Sequence, residues 1–232
     1  MPELTIARHG EAFCNVLGIV GGARGCTGLT DRGRSQASQL GHRLADEQKT
    51  RRIRIRLFAS PRRRAAETVN AIARHLSEPV EFLDDLRDPD YGASADGQSW
   101  SELISQLDIH PSLNPTMPLV SDGESWAIYV PRVTRTIKRL TSAYPDDHIV
   151  IIGHGETVRA AWHHFSELPA DDPTPFKLTV DNASLTSWRT IAGVSPTRWE
   201  LVRHNDSCHT AIPVNGVLVS PVKTRTNDAT GE

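Results

Sequence analysis

Cysteine is scarce in this chain, and so are methionine, aromatic residues and any excess of charge. Three cysteines, Cys14, Cys26 and Cys208, are spread over 232 residues. An odd, widely spaced set of this kind builds no disulfide framework and reads as reduced thiols in a cytosolic protein. Cys-x-x-Cys and His-Glu-x-x-His are both absent, so the ten histidines carry no zinc signature, and no metal site is expected. No apolar run approaches the roughly 20 residues of a membrane helix. A formal net charge of -2 gives no basic face for nucleic acid or an anionic membrane. The first apolar run starts within a few residues of the N-terminus, leaving no room for a signal peptide, and a cytoplasmic location is expected. Neither an internal repeat nor a linker interrupts the chain. One domain is expected over 1–212, with a polar, flexible tail over 213–232.

What is present is a recurring strand ending. Leu4 to Ala7 is a short apolar run that stops at Arg8-His9-Gly10, where the glycine is expected to permit a sharp turn. Ile53 to Ala59 is a second strand, stopping at Ser60-Pro61-Arg62-Arg63-Arg64. Ile149 to Ile152 has the unbroken apolar character of a strand buried on both faces and runs into Gly153-His154-Gly155. Val80 to Leu83, Ala183 to Thr190 and Arg198 to Arg203 read as further strands. Between them lie helical stripes: Ala37, Leu40 and Leu44 after an N-cap at Thr30; Ala65, Val69, Ile72 and Leu76 after Pro61; and Trp126, Val130, Val133, Ile137, Leu140 and Tyr144. Pro131 interrupts the last stripe and is expected to distort it. Short helices are expected at 100–107 and 157–165. Residues 16–28, 84–97 and 166–182 read as loops. The first is rich in glycine but lacks the Gly-Lys-Ser/Thr of a phosphate loop.

Helices between strands favour parallel pairing, which would bring all three strand ends to one edge of the sheet. Arg8, His9, Arg64 and His154 would then form a positive cup suited to a phosphate dianion. Arg62 and Arg63 are expected on a solvated face. Imidazole is a competent nucleophile near neutral pH, so a histidine in such a cup could take up a phosphoryl group. The departing alkoxide needs a proton, and the acidic loop Asp84 to Asp96 is the obvious source.

These residues, in this order, resemble the histidine phosphatase superfamily, branch 1, with its phosphoglycerate-mutase-like fold. The resemblance rests on Arg8-His9-Gly10-Glu11 with Asn15, Leu29-Thr30 with Gly33, Gln36 and Ala37, Ser60-Pro61 with Arg64, Ala65 and Thr68, and His154-Gly155 with Arg159. Smaller echoes are Gly123-Glu124-Ser125, Asn182-Ala183-Ser184 and Asn205-Asp206 with His209. It implies a three-layer α/β/α sandwich with a mostly parallel central sheet. It also implies His9 as the phosphorylated nucleophile, Arg8, Arg64 and His154 as phosphate-binding partners with Asn15 in the pocket, and no metal or organic cofactor.

Two positions depart from the pattern. Ala12 stands where threonine or serine is usual after Arg-His-Gly-Glu. Asp88, in Leu86-Arg87-Asp88, stands where the family's acid is a glutamate. Asp88 is expected to be the proton donor, with burial or the charges of Asp85 and Asp90 helping it hold a proton. Asp90 and Glu124 are the substitutes. The expected function is hydrolysis of a small-molecule phosphomonoester through a phosphohistidine, of the histidine acid phosphatase type, with His9, Asp88 and His154 as the catalytic set. The alternatives are a mutase-type phosphotransferase, for which Arg24 and Arg87 are candidate extra cations, and a non-catalytic phospho-ligand module. Phe13, Tyr91 and Trp100 are candidate leaving-group contacts. The sequence leaves the substrate's identity and the oligomeric state open.

Overall fold

The computed structural model describes residues 3–107, 113–173 and 176–210, together with the backbone of two short strands, Ile212–Val214 and Val217–Val219. Six strands form one sheet: β1 (Glu3–Arg8), β2 (Ile55–Ala59), β3 (Val80–Phe82), β4 (His148–Gly153), β5 (Leu185–Thr190) and β6 (Trp199–Asp206). Their spatial order is β3-β2-β4-β1-β5-β6. The first four run parallel, and β5 and β6 extend the sheet antiparallel. The helices are α1 (Phe13–Leu17), α2 (Asp31–Arg51), α3 (Arg63–Leu76), α4 (Trp100–Ser105), α5 (Trp126–Ala143) and α6 (Gly155–Phe165).

Successive strand side chains point to opposite faces, so a strand covered on both sides must be apolar throughout. In β4, Ile149 and Ile151 join Leu4, Ile6 and Phe58 against Val133, Ile137 and Leu140 of α5 and Val158 of α6. Val150 and Ile152 join Ala7, Leu57 and Ala59 on the other face, against Leu40 and Leu44 of α2 and Ala65, Val69 and Ile72 of α3. The three layers are α2 with α3, the sheet, and α5 with α6, the sandwich that the resemblance implies.

Three local expectations need correction. Pro131 lies inside α5 as its sixth residue, and the helix is continuous through it. Pro131 is on the exposed side, where the carbonyl it leaves without an N–H donor can turn to solvent. The glycine-rich stretch is not a free loop. It contains the end of α1, and Asp96 accepts from the backbone N–H groups of Gly22, Arg24 and Gly25 at 2.7–2.9 Å, so the loop is wound around its own carboxylate. α3 starts at Arg63, with Pro61 ahead of it rather than in its first turn. Of the expected tail, the strands Ile212–Val214 and Val217–Val219 pair antiparallel, and 220–232 lie outside the described residues. Pro111 and Pro175 also fall outside them. Among the described residues no helix is long and apolar enough to cross a membrane.

At the end of the sheet away from the histidine loops, His148 is buried, its Nε2 2.8 Å from Thr5 Oγ1 and 3.5 Å from Glu3 Oε1. Burial pushes it from its ordinary 6.5 down to about 4, with Glu3 opposing. Above 6.5 the ring is neutral folded or unfolded; as pH falls toward 4, only the unfolded chain takes up the proton, so stability is lost across that window. Urea unfolding between pH 7 and pH 4 is expected to show a fall that His148→Gln reduces by up to about 1.4 kcal/mol per pH unit. Parallel curves for the two proteins would refute this.

Candidate active site

Residues Ala7, Ile152 and Ala59 lie side by side in register on the three adjacent parallel strands. The ladder continues one step beyond: His9 N–H donates to the Gly153 carbonyl and Ser60 N–H to the Ile152 carbonyl, both at 3.0 Å. His9, Ser60 and His154 therefore emerge together at one rim. The expectation for Gly10 was a turn requirement, but the structure gives a different reason for the glycine. A Cβ on Gly10 would stand 2.4 Å from the Gly33 carbonyl oxygen, and one on Gly33 2.0 Å from that of Glu11. The first turn of α2 lies directly on the histidine loop. Gly10 N–H donates to Thr68 Oγ1 at 3.0 Å and Glu11 N–H to Gln36 Oε1 at 2.9 Å, which gives those motif residues their task.

His9 is buried at 3% exposure. Its Nδ1 lies 2.7 Å from the Gly10 carbonyl, which can only accept, so Nδ1 carries the proton and Nε2 presents a lone pair. Arg64 Nε donates to that Nε2 at 3.0 Å. Burial holds the His9 pKa well below its usual range, and Arg64, Arg8 and His154 add to the effect. The His154 ring stands 5.4 Å from the His9 ring, centroid to centroid. A 2.9 Å hydrogen bond joins His154 Nε2 to Ser60 Oγ. His154 too is held well below its usual range by burial, then by Arg64, Arg62 and Arg8. Both rings are neutral, so the arginines alone supply the positive charge of the cup.

Arg64 donates from Nη1 to the Gly21 carbonyl at 2.6 Å and from Nη2 to Asp88 Oδ2. Arg62 Nε donates to Asp88 Oδ1 at 3.1 Å. This corrects one expectation: Arg63 is solvated and pairs with Glu67, but Arg62 is turned inward onto Asp88. A second correction concerns the surroundings of Asp88. It is buried at 3% exposure, as expected, but its charged neighbours are Arg62 and Arg64, and the His154 ring lies 4.0 Å away. Asp85 instead accepts from Thr136, and Asp90 is exposed. Glu124 is held by Arg132 at 2.6 and 3.0 Å. Asp88 alone of the three candidate acids lies in the cup.

Arg8 reaches under the site to the Val180 carbonyl at 2.6 Å. Asn15 stands at the rim without touching His9; its Oδ1 accepts from Ala12 N–H at 3.0 Å and from Asn182 Nδ2 at 3.3 Å. Asn182 Nδ2 also reaches the His9 carbonyl at 3.2 Å. Ala12 is fully buried. The three cysteines are free thiols. Cys26 lies beside Cys14 and Arg64, and both neighbours favour its thiolate. Among the described residues no group of three or more His, Cys, Asp and Glu side chains is placed to hold a metal ion.

Beside the cup, beyond Asp88 and His154, opens a pocket of about 480 Å³. Tyr91 and Trp100 line it as anticipated, whereas Phe13 does not. Trp126, whose spacing reads simply as core, and Trp162 also line it.

A profile of the histidine phosphatase superfamily (branch 1) matches residues 4–207. The uncharacterized phosphatase PhoE of Bacillus subtilis is 24% identical over 216 residues, 90% of this chain and 97% of its own length. The phosphoglycerate mutase-like protein 4 of Arabidopsis thaliana is 29% identical over 168 residues, 69% of each chain. The solved structure of mycobacterial glucosyl-3-phosphoglycerate phosphatase complexed with VO3 superposes with a TM-score of 0.75, at 21% identity, covering 88% of this chain and 99% of that one. The matched span holds every motif from Arg8 to Asn205, and the chain belongs to the histidine phosphatase superfamily, branch 1.

Proposed function

We propose that this chain is a phosphomonoesterase that works through a phosphohistidine on His9. The observation that carries the reading is the unprotonated Nε2 of a buried, neutral His9, fixed by the Gly10 carbonyl and aimed into a cup of arginines. Arriving phosphate oxygens take over Arg64, Arg62 and Arg8, together with the N-terminal ends of α3 and α6. Arg64 turns from His9 to the phosphoryl group, which frees the Nε2 lone pair. Nε2 bonds to phosphorus as the ester P–O bond breaks. Asp88, released from its arginines as the phosphate takes them over, delivers a proton to the leaving oxygen. The resulting carboxylate then takes a proton from water, whose oxygen attacks phosphorus and breaks the N–P bond.

Two features favour water over a second alcohol as acceptor. Arg24 is exposed and tied to Ala93 and Asp96, and Arg87 is tied to Asp84, so neither adds a second phosphate site to the cup. The placement of Asp88 within hydrogen-bonding range of the cup's arginines counts against a module that has lost turnover.

Phosphate release from a panel of phosphomonoesters is expected for the wild type, with His9→Ala lowering kcat/KM by more than about 1,000-fold. Asp88→Asn should lower it about 100- to 10,000-fold on alkyl esters, but much less on p-nitrophenyl phosphate, whose leaving group needs little protonation. Isomerisation of a phosphoglycerate with a bisphosphate primer, without phosphate release, would replace hydrolysis by transfer. A second expectation follows from Asp88 holding the arginines that phosphate must claim. Calorimetric titration should find inorganic phosphate bound about tenfold more tightly by Asp88→Asn than by wild type, a gain of about 1.4 kcal/mol. Weaker binding would show that Asp88 does not compete for the cup.

A further inference from the structure

We propose that the pocket beside the cup seats the alcohol part of the substrate, and that this alcohol is bulky, uncharged and apolar or aromatic. The inference rests on the phosphomonoesterase reading and names its substrate class. Size is the first argument. About 480 Å³ lies within the roughly 300–1,000 Å³ that holds a drug-sized ligand, whereas a three-carbon glyceryl or seryl group would leave most of it empty. The walls are the second. Three of the chain's five tryptophans, Trp100, Trp126 and Trp162, line the pocket with Tyr91, Met117 and Phe176. They brace one another: Tyr91 meets Trp100 edge-on at 4.9 Å, and Trp162 meets Phe176 edge-on at 5.9 Å. Met117 and Phe176 remain 52% and 46% exposed, an apolar surface that the fold itself does not cover and that marks a ligand groove.

Charge is the third argument. The wall's carboxylates are Glu124, Glu156 and Asp172, against the cations Arg159 and Lys177. Glu124 is committed to Arg132, and Glu156 lies 3.7 Å from Arg159. No excess of cations waits for an alcohol that carries its own carboxylate. Position is the fourth. Pro89, directly after Asp88, and Glu156, two residues after His154, both line the pocket, so its wall is continuous in sequence with two residues of the cup. An ester with phosphorus at His9 Nε2 places its bridging oxygen by Asp88 and its carbon chain past Pro89, against Tyr91 and the tryptophans.

The test compares 2-(1-naphthyl)ethyl phosphate, an alkyl ester whose leaving alcohol is as basic as theirs, with O-phosphoserine and glycerol 3-phosphate on the full chain. In parallel, binding of the stable analogue 1-naphthylmethylphosphonate is followed by quenching of tryptophan fluorescence. The expected result is a kcat/KM at least about 100-fold higher for the naphthyl ester. Phe176→Ala, a change at an exposed side chain, should narrow that ratio at least about fivefold and weaken the phosphonate by a similar factor. Preference for phosphoserine or glycerol 3-phosphate would overturn the inference and leave the phosphatase reading standing. If no ester releases phosphate, that reading fails instead, and the phosphonate decides the pocket: quenching sensitive to Phe176→Ala supports an apolar phospho-ligand, and its absence removes it.

Discussion

A guanidinium buried at 5% exposure has to find acceptors, because an unpaired buried charge costs several kcal/mol. Arg64 is that group, and the site is arranged by what it needs. Its acceptors come from three separate parts of the chain: the Gly21 carbonyl in the glycine-rich loop, Nε2 of His9 after β1, and the carboxylate of Asp88. Each partner is in turn fixed from behind. The glycine-rich loop is wound on Asp96. The histidine loop is pinned by α2 and α3. The segment leading to Asp88 is anchored by fully buried Leu86, and Arg132 donates to the carbonyls of Asp85 and Arg87. One cation thus ties three otherwise independent loops into a single geometry.

The same cluster separates two tasks that a row of cationic residues would confuse. Arginine keeps its charge at any accessible pH, whereas imidazole yields to its surroundings. Burial beside arginines drives both histidines to their neutral forms. The arginines then provide attraction for an anion, and His9 provides an available lone pair. A site whose charge came from protonated histidines would attract an anion as well but would have no lone pair to offer it.

Much of this was legible in the sequence, and the parts that were not share a cause. Apolar runs of period two and stripes of period 3.6 report burial, so β1, β4, α2, α3 and α5 could be drawn from Leu4, Ile151, Leu40, Val69 and Ile137 alone. The convergence of His9, Arg64 and His154 followed once parallel pairing was granted. Arg62 was not legible, because nothing in Ser60-Pro61-Arg62-Arg63-Arg64 says which arginine turns inward; its partner Asp88 is 26 residues away. Asp96, 74 residues from Gly22, escaped for the same reason, and its loop read as mobile. Trp126 fits a core stripe as well as a pocket wall. Only the third dimension shows that this stripe is wider than the core it covers.

The aspartate in place of glutamate is best understood through Arg62. Aspartate is one methylene shorter, and on an unchanged loop its carboxyl would fall short of the cup. Here Arg62 holds Oδ1 while Arg64 holds Oδ2, so the carboxylate is gripped from both sides. Arg62 is itself fixed at the start of α3, where its backbone N–H donates to Ser60 Oγ at 3.2 Å. Ser60 Oγ in turn meets His154 Nε2 at 2.9 Å. Asp88, Arg62, Ser60 and His154 form one chain of contacts across the ends of β2 and β4. The carboxyl's place is therefore set by the rigid sheet edge as much as by its own loop, and a shorter side chain still arrives beside the arginines of the cup.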